Sequence, residues 1–134
     1  MIKFLDELKK LDFPRDKFAV FASGCLAVRG IRENNDIDII VKDDLWQKLI
    51  KKYPRNEKGF IHMGNIEAGN KALYPKESVD EMIDNADIIE EIRFVKLKSV
   101  LIWKRLISSD KAEGNLNRDK DKTDIKLIEN YLAN

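Results

Sequence analysis

Asp36 and Asp38 stand two positions apart at the start of an apolar run, Asp36-Ile37-Asp38-Ile39-Ile40-Val41. Residues two apart on a strand share a face. A strand here projects the two carboxylates side by side and turns Ile37 and Ile39 the other way. Adjacent carboxylates repel in a half-buried site, and a hard cation offsets that repulsion. Oxygen ligands of this kind suit Mg²⁺ or Mn²⁺. Ser23-Gly24 precedes the pair by the eleven residues 25–35, and it follows a second apolar run, Lys17 to Ala22. A Ser-Gly step at a helix N-terminus offers backbone N–H groups to phosphate oxygens, and Gly24 lets a phosphate approach closely. An Asp-x-Asp pair alone is more often two solvated strand acids. Its weight here comes from the Ser-Gly step on the strand before it.

The rest of the chain must position these residues. Leu5, Leu8 and Leu11 stand at helical spacing over 2–11, and Phe13-Pro14 ends that helix. The run 17–22 reads as a buried strand and 25–29 as a short helix, with Gly30 as its left-handed cap. Glu33-Asn34-Asn35 is a polar turn, and 36–41 is the second strand. Asp43 or Asp44 caps a helix bearing Leu45, Trp46, Leu49 and Ile50 on one face. Gly59 to Glu67 reads as a hairpin or irregular strand pair, and 68–77 as a loop. Ser78 caps a helix to about Asp87, and 88–97 reads as one strand. Ser99 opens an apolar helix with Val100, Leu101, Ile102, Trp103, Leu106 and Ile107. Residues 108–117 have loop composition. A last helix from Asp119 turns Ile125, Leu127, Ile128 and Leu132 inward. The expected class is α+β, or α/β, a mixed sheet flanked by helices without strict βαβ alternation. A single domain spans 1–134, with its core over about 17–97 and C-terminal helices over about 98–134.

Bulk properties narrow the function classes. The 134 residues carry 25 Lys+Arg against 24 Asp+Glu, a net charge of +1, so overall charge does not argue for bulk nucleic-acid or membrane binding. The single cysteine, Cys25, excludes an intrachain disulfide and a cysteine zinc cluster. It suits a reducing cytoplasm, and the charged first turns do not read as a signal peptide. No apolar run approaches a membrane span. Cys25, Trp46 and Trp103 read as core residues. His62, the only histidine, reads as a packed or surface residue. Arg29 and Arg32 flank the turn before Asp36, within reach of a triphosphate or simply solvated. Lys104, Arg118 and Lys120 read equally as a phosphate-accepting basic rim and as a charged helix surface. Asp121 and Asp124 read as capping the last helix or pairing with nearby lysines.

Together, Ser23-Gly24, the eleven residues 25–35 and Asp36-Ile37-Asp38 resemble the signature of the nucleotidyltransferase superfamily. That group includes kanamycin nucleotidyltransferase, poly(A) polymerases and the minimal bacterial nucleotidyltransferases. Ser23 stands where the signature has its first glycine. The run Arg118-Asp119-Lys120-Asp121-Lys122-Thr123-Asp124-Ile125, after Trp103-Lys104-Arg105, is similar to the closing helices of small bacterial members. The resemblance covers the chain from about residue 17. It implies a nucleotidyltransferase-like fold and metal-dependent transfer of a nucleoside monophosphate from a nucleoside triphosphate to an acceptor. Asp36 and Asp38 would hold Mg²⁺ or Mn²⁺, and Ser23 and Gly24 would contact the β- and γ-phosphates. Arg32, Lys104 and Lys120 are the cations assigned to the nucleotide. A third carboxylate on a neighbouring strand is required; Glu67 is the choice and Glu91 the rival. The acceptor would be an RNA end, a protein hydroxyl or a small molecule, reached with the help of a homodimer or a partner protein. The other role open to such a chain is a catalytically degenerate binding module, such as a toxin–antitoxin component.

Overall fold

Strand β1 (Phe18–Phe21) is buried at every residue, and its four side chains alternate between the two faces of the sheet. It pairs antiparallel with β2 (Ile37–Val41), Phe21 opposite Asp38 and Val20 opposite Ile39. These contacts come from a computed structural model that describes residues 2–71, 76–109 and 119–134, without the side chains of residues 109, 119 and 120. Strands β3 (Ile61–Met63) and β4 (Ile66–Gly69) form an antiparallel hairpin, and β4 lies parallel to β2. On the other flank β6 (Ile92–Phe94) runs parallel to β1, with β5 (Asp87–Ile89) antiparallel beyond it. The mixed six-stranded sheet has the order β3-β4-β2-β1-β6-β5, and the class is α+β.

The period of two divides the sheet. Phe18, Val20, Ile37, Ile39, Val41, Ile66 and Ala68 fall on one face and are buried in the core. Phe21, Asp38 and Glu67 fall on the other. Helix α1 (Leu5–Lys10) buries Leu5 and Leu8, and Glu7 takes hydrogen bonds from the Asn65 backbone (2.7 Å) and side chain (3.0 Å), fixing the β3–β4 turn. Helix α2 (Ser23–Ala27) begins directly after β1 and closes at Gly30, φ 73°. There the Ile31 N–H reaches the Leu26 carbonyl and the Gly30 N–H the Ala27 carbonyl, a Schellman closure. Helix α3 (Asp43–Lys52) buries Leu45, Trp46 and Leu49, with acids in its first turn and lysines in its last, as the helix dipole favours. Helix α4 (Val79–Asp84) starts on the capping box of Ser78 and Glu81. Helices α5 (Leu97–Ser109) and α6 (Asp119–Ala133) pack on each other. Among the described residues no helix is long and apolar enough to cross a membrane.

Several local expectations are corrected. The helix N-cap before Asp43 is Lys42 itself, so Asp43 and Asp44 stand in the first turn instead of capping it. Helix α4 ends at Asp84, and Asp87 opens a strand. The strand expected over 88–97 is a hairpin that turns at Glu90 (φ 52°) and Glu91 (φ 70°). No glycine or asparagine announces that turn; pairing of Ile89 with Ile92 imposes it. Helix α5 starts at Leu97, so Ser99 lies within it and donates to Glu77 Oε1 at 2.9 Å. Leu132 is half-exposed, not inward. The loop expected over 108–117 lies outside the described residues apart from Ser108 and Ser109, which continue α5.

Candidate active-site cleft

The parallel pairing of β2 with β4 sets Asp38 opposite Glu67. Directly opposed residues on neighbouring strands share a face, so the two carboxylates belong to one site. Asp36 sits one residue before β2. Its carbonyl accepts from Asn34 Nδ2 at 3.0 Å. Asn34 is fully buried and also exchanges hydrogen bonds with the Lys3 backbone, tying the approach to β2 to the N-terminal segment. A cleft of about 530 Å³ gathers Ser23, Asp36, Asp38 and Glu67 with Arg32, Lys104, Trp103 and Asp124. Glu91 is in the β5–β6 turn, at the far edge of the sheet from β4, and does not reach Asp38. Glu67 is therefore the carboxylate beside the aspartate pair.

His62, opposite Glu67 on β3, puts Nε2 2.6 Å from Glu67 Oε2. It restrains one carboxylate oxygen, as partners of metal-binding carboxylates commonly do. The hairpin spacing around Gly64-Asn65 was the signal that pairs the two. Ser23 lines the cleft just after Ala22, whose φ of 60° and ψ of −127° are a backbone conformation that side chains disfavour. Gly24, next to Ser23, is not among the residues that line the cleft. It is buried, and a Cβ there would stand 2.4 Å from Val20 Cγ1, so its missing side chain serves the packing of α2 on β1. Cys25 donates to the Val20 carbonyl at 3.2 Å, and burial pushes its thiol up to about 12, which removes it as a nucleophile.

The cations are paired instead of open to solvent. Arg29 hydrogen bonds the Cys25 carbonyl (2.8 Å) and Asp87 (2.7 Å), away from the cleft. Arg32 grips Asp124 with Nε at 2.6 Å and Nη2 at 2.8 Å, and that hydrogen bonding raises its pKa further. Lys104 is buried between Asp121 (2.9 Å) and Asp124 (3.0 Å), so it is neither a rim nor an exposed helix surface. Burial pushes the Asp124 carboxyl up, but hydrogen bonds from Arg32 and Lys104 outweigh it and hold the carboxyl below its usual range. The side chains of Arg118 and Lys120 lie outside the described residues. Trp103 lies edge-on to Phe21 at 4.6 Å and lines the cleft, a role its helical apolar spacing concealed.

Three carboxylates on one cleft are the donor chemistry that Mg²⁺ or Mn²⁺ prefers. The fit is one of chemistry: among the described residues no three Asp, Glu, His or Cys side chains converge as a metal-holding group. Compared with models of known protein families, with curated proteins and with solved structures, the chain matches none.

Proposed function

We propose that the chain is a metal-dependent nucleotidyltransferase, moving a nucleoside monophosphate from a nucleoside triphosphate to an acceptor hydroxyl in the cytoplasm. The observation that carries this reading is the register of Asp38 against Glu67, with Asp36 and Ser23 lining the same cleft. Phosphoryl chemistry needs positioning and neutralisation of charge more than covalent help. Asp36, Asp38 and Glu67 would hold Mg²⁺ or Mn²⁺, which neutralises charge on the transferring phosphate. Ser23 offers a donor to phosphate oxygens. The acceptor oxygen bonds to the α-phosphorus as the bond to the β-phosphate bridging oxygen breaks, and pyrophosphate leaves with that electron pair. The hydroxyl proton passes to the Glu67 carboxylate, which His62 keeps oriented. The acceptor is an RNA end, a protein hydroxyl or a small molecule, with a second copy or a partner protein completing its seat.

Thermal shift with each triphosphate plus Mg²⁺ or Mn²⁺ tests the site. At a ligand concentration of 100 times Kd, binding adds about 2.7 kcal/mol. Asp36→Ala and Asp38→Ala should each remove that gain. Metal-linked stabilisation that survives both substitutions places the site elsewhere. One observation favours a second reading, a degenerate module that binds without turnover, such as a toxin–antitoxin component. Arg32 and Lys104 already spend their charge on Asp121 and Asp124. Transfer of label from a triphosphate into a lysate component supports the enzyme; binding with no label transfer supports the module.

A further inference from the structure

A second cleft, of about 500 Å³, shares Asp38, Glu67 and Trp103 with the first. The first runs from Asp38 toward the start of β2, past Asp36, Asn35 and Ser23. The second runs along β2 toward Ile39 and Ile40. Its lining differs in kind: Phe21, Phe60 and Trp103 with Gly69, and the exposed lysines Lys58 and Lys71. Gly69 leaves the space that Phe60 occupies, because a Cβ there would meet the Phe60 ring at 2.9 Å. The loop carrying Lys58 and Phe60 is tied by Asn56. Asn56 Oδ1 accepts from the Lys58 N–H at 2.9 Å and the Phe60 N–H at 3.0 Å, and the Asn56 N–H donates to the Phe60 carbonyl at 2.7 Å. An aromatic wall held by a fixed loop beside two lysines matches a planar base attached to a phosphate.

We propose that this second cleft seats a nucleotide acceptor, its base against Phe60 and Trp103 and its phosphate at Lys58 and Lys71. The proposal rests on the reading of the first cleft as the metal–triphosphate side. In-line displacement needs the attacking hydroxyl and the leaving pyrophosphate on opposite sides of the transferring phosphorus. Two clefts that diverge from Asp38 and Glu67 provide those two approaches. The shared chemistry is a nucleoside phosphate, either free or at the end of a nucleic acid.

Fluorescence decides it. Trp46→Phe leaves Trp103 as the single tryptophan. Without metal or triphosphate, the four ribonucleoside 5′-monophosphates and a short single-stranded RNA are titrated, with ribose 5-phosphate as the base-less control. A base-bearing ligand should quench Trp103 saturably and ribose 5-phosphate should not. Phe60→Leu, or Phe60→Ala if it folds, should weaken binding ~5- to 150-fold, the range set by loss of one base–aromatic stack. Lys58→Ala with Lys71→Ala should flatten the salt dependence. Tighter binding of the RNA than of any monophosphate assigns a nucleic-acid end; parity assigns a free nucleotide. Quenching that ignores Phe60 and disappears in Asp36→Ala puts the nucleotide in the first cleft and overturns the proposal. The metal–triphosphate thermal shift is run beside it on the unaltered chain. A shift there with no saturable quenching sinks the second cleft alone, and quenching with no shift sinks the metal reading alone.

Discussion

Replacing Lys104 by Met tests whether the ionic cluster at the cleft wall is structural. Lys104 on α5 stands 2.9 Å from Asp121 and 3.0 Å from Asp124 on α6, and the side chains are 4%, 3% and 1% exposed. Removing one member of a buried pair strands its partners, a loss of about 3–5 kcal/mol. Arg32 still holds both oxygens of Asp124 in the variant, which argues for the lower end, ~3 kcal/mol. Unfolding entropy near 2.1 cal/mol/K per residue comes to ~0.28 kcal/mol/K for 134 residues. The expected fall in Tm is then ~11 °C. The control joins the same two helices in water: Arg105 and Glu129 pair at 2.6 Å with side chains 53% and 45% exposed. Arg105→Ala should cost no more than about 1 kcal/mol, or ~4 °C. Thermal and urea melts followed by circular dichroism measure both. If Lys104→Met falls by no more than Arg105→Ala, the cluster is hydrated in solution and burial does not set its strength.

Three further outcomes follow from local geometry and charge. Gly24→Ala should destabilise by ~1–3 kcal/mol, because its Cβ would stand 2.4 Å from Val20 Cγ1; in a Val20→Ala background the same change should cost less, as a denaturation cycle would reveal. Replacing Glu90-Glu91 by Asn-Gly should stabilise by ~1 kcal/mol, since both φ values, 52° and 70°, are left-handed; an unchanged or lower urea midpoint refutes the turn. The hydrogen bonds of Lys96 and Arg29 lower the Asp87 pKa, and Asp124 is lowered against its own burial. A depressed folded pKa means that the unfolded chain binds more protons. The stability from these two acids is then complete above about pH 5 and is lost as pH falls through the ordinary value of ~3.9 and below. Asp124→Asn should flatten that acid slope, and an unaltered slope assigns it to other groups.

What the sequence disclosed and what it hid divide along the distance between partners. The facing of Asp36 and Asp38 away from Ile37 and Ile39 is a property of one strand, so alternation exposed it. The choice between Glu67 and Glu91 depended on strand order, which no local pattern carries; β4 adjoins β2, and the β5–β6 turn lies at the opposite edge. Which acids pair with Arg32 and Lys104 was hidden for the same reason. Charge is visible in a sequence, but burial is not, and the partners of Lys104 and Arg32 lie 17 and 92 residues away. The tail pattern gains a physical meaning from this. Helix α6 has a narrow apolar grip: Ile128 is buried and Ile125 packs against the core, but Leu132 and Tyr131 are about half-exposed. The spacing of Asp121 and Asp124, three residues apart on one helical face, sets both against Lys104 and leaves Asp124 for Arg32. Two carboxylates sharing one buried ammonium add a directional constraint that apolar contacts alone lack. The ionic cluster therefore fixes the register of α6 against α5 and holds Arg32 at the cleft. Those closing helices supply a wall of the candidate site more than they supply free charge to it.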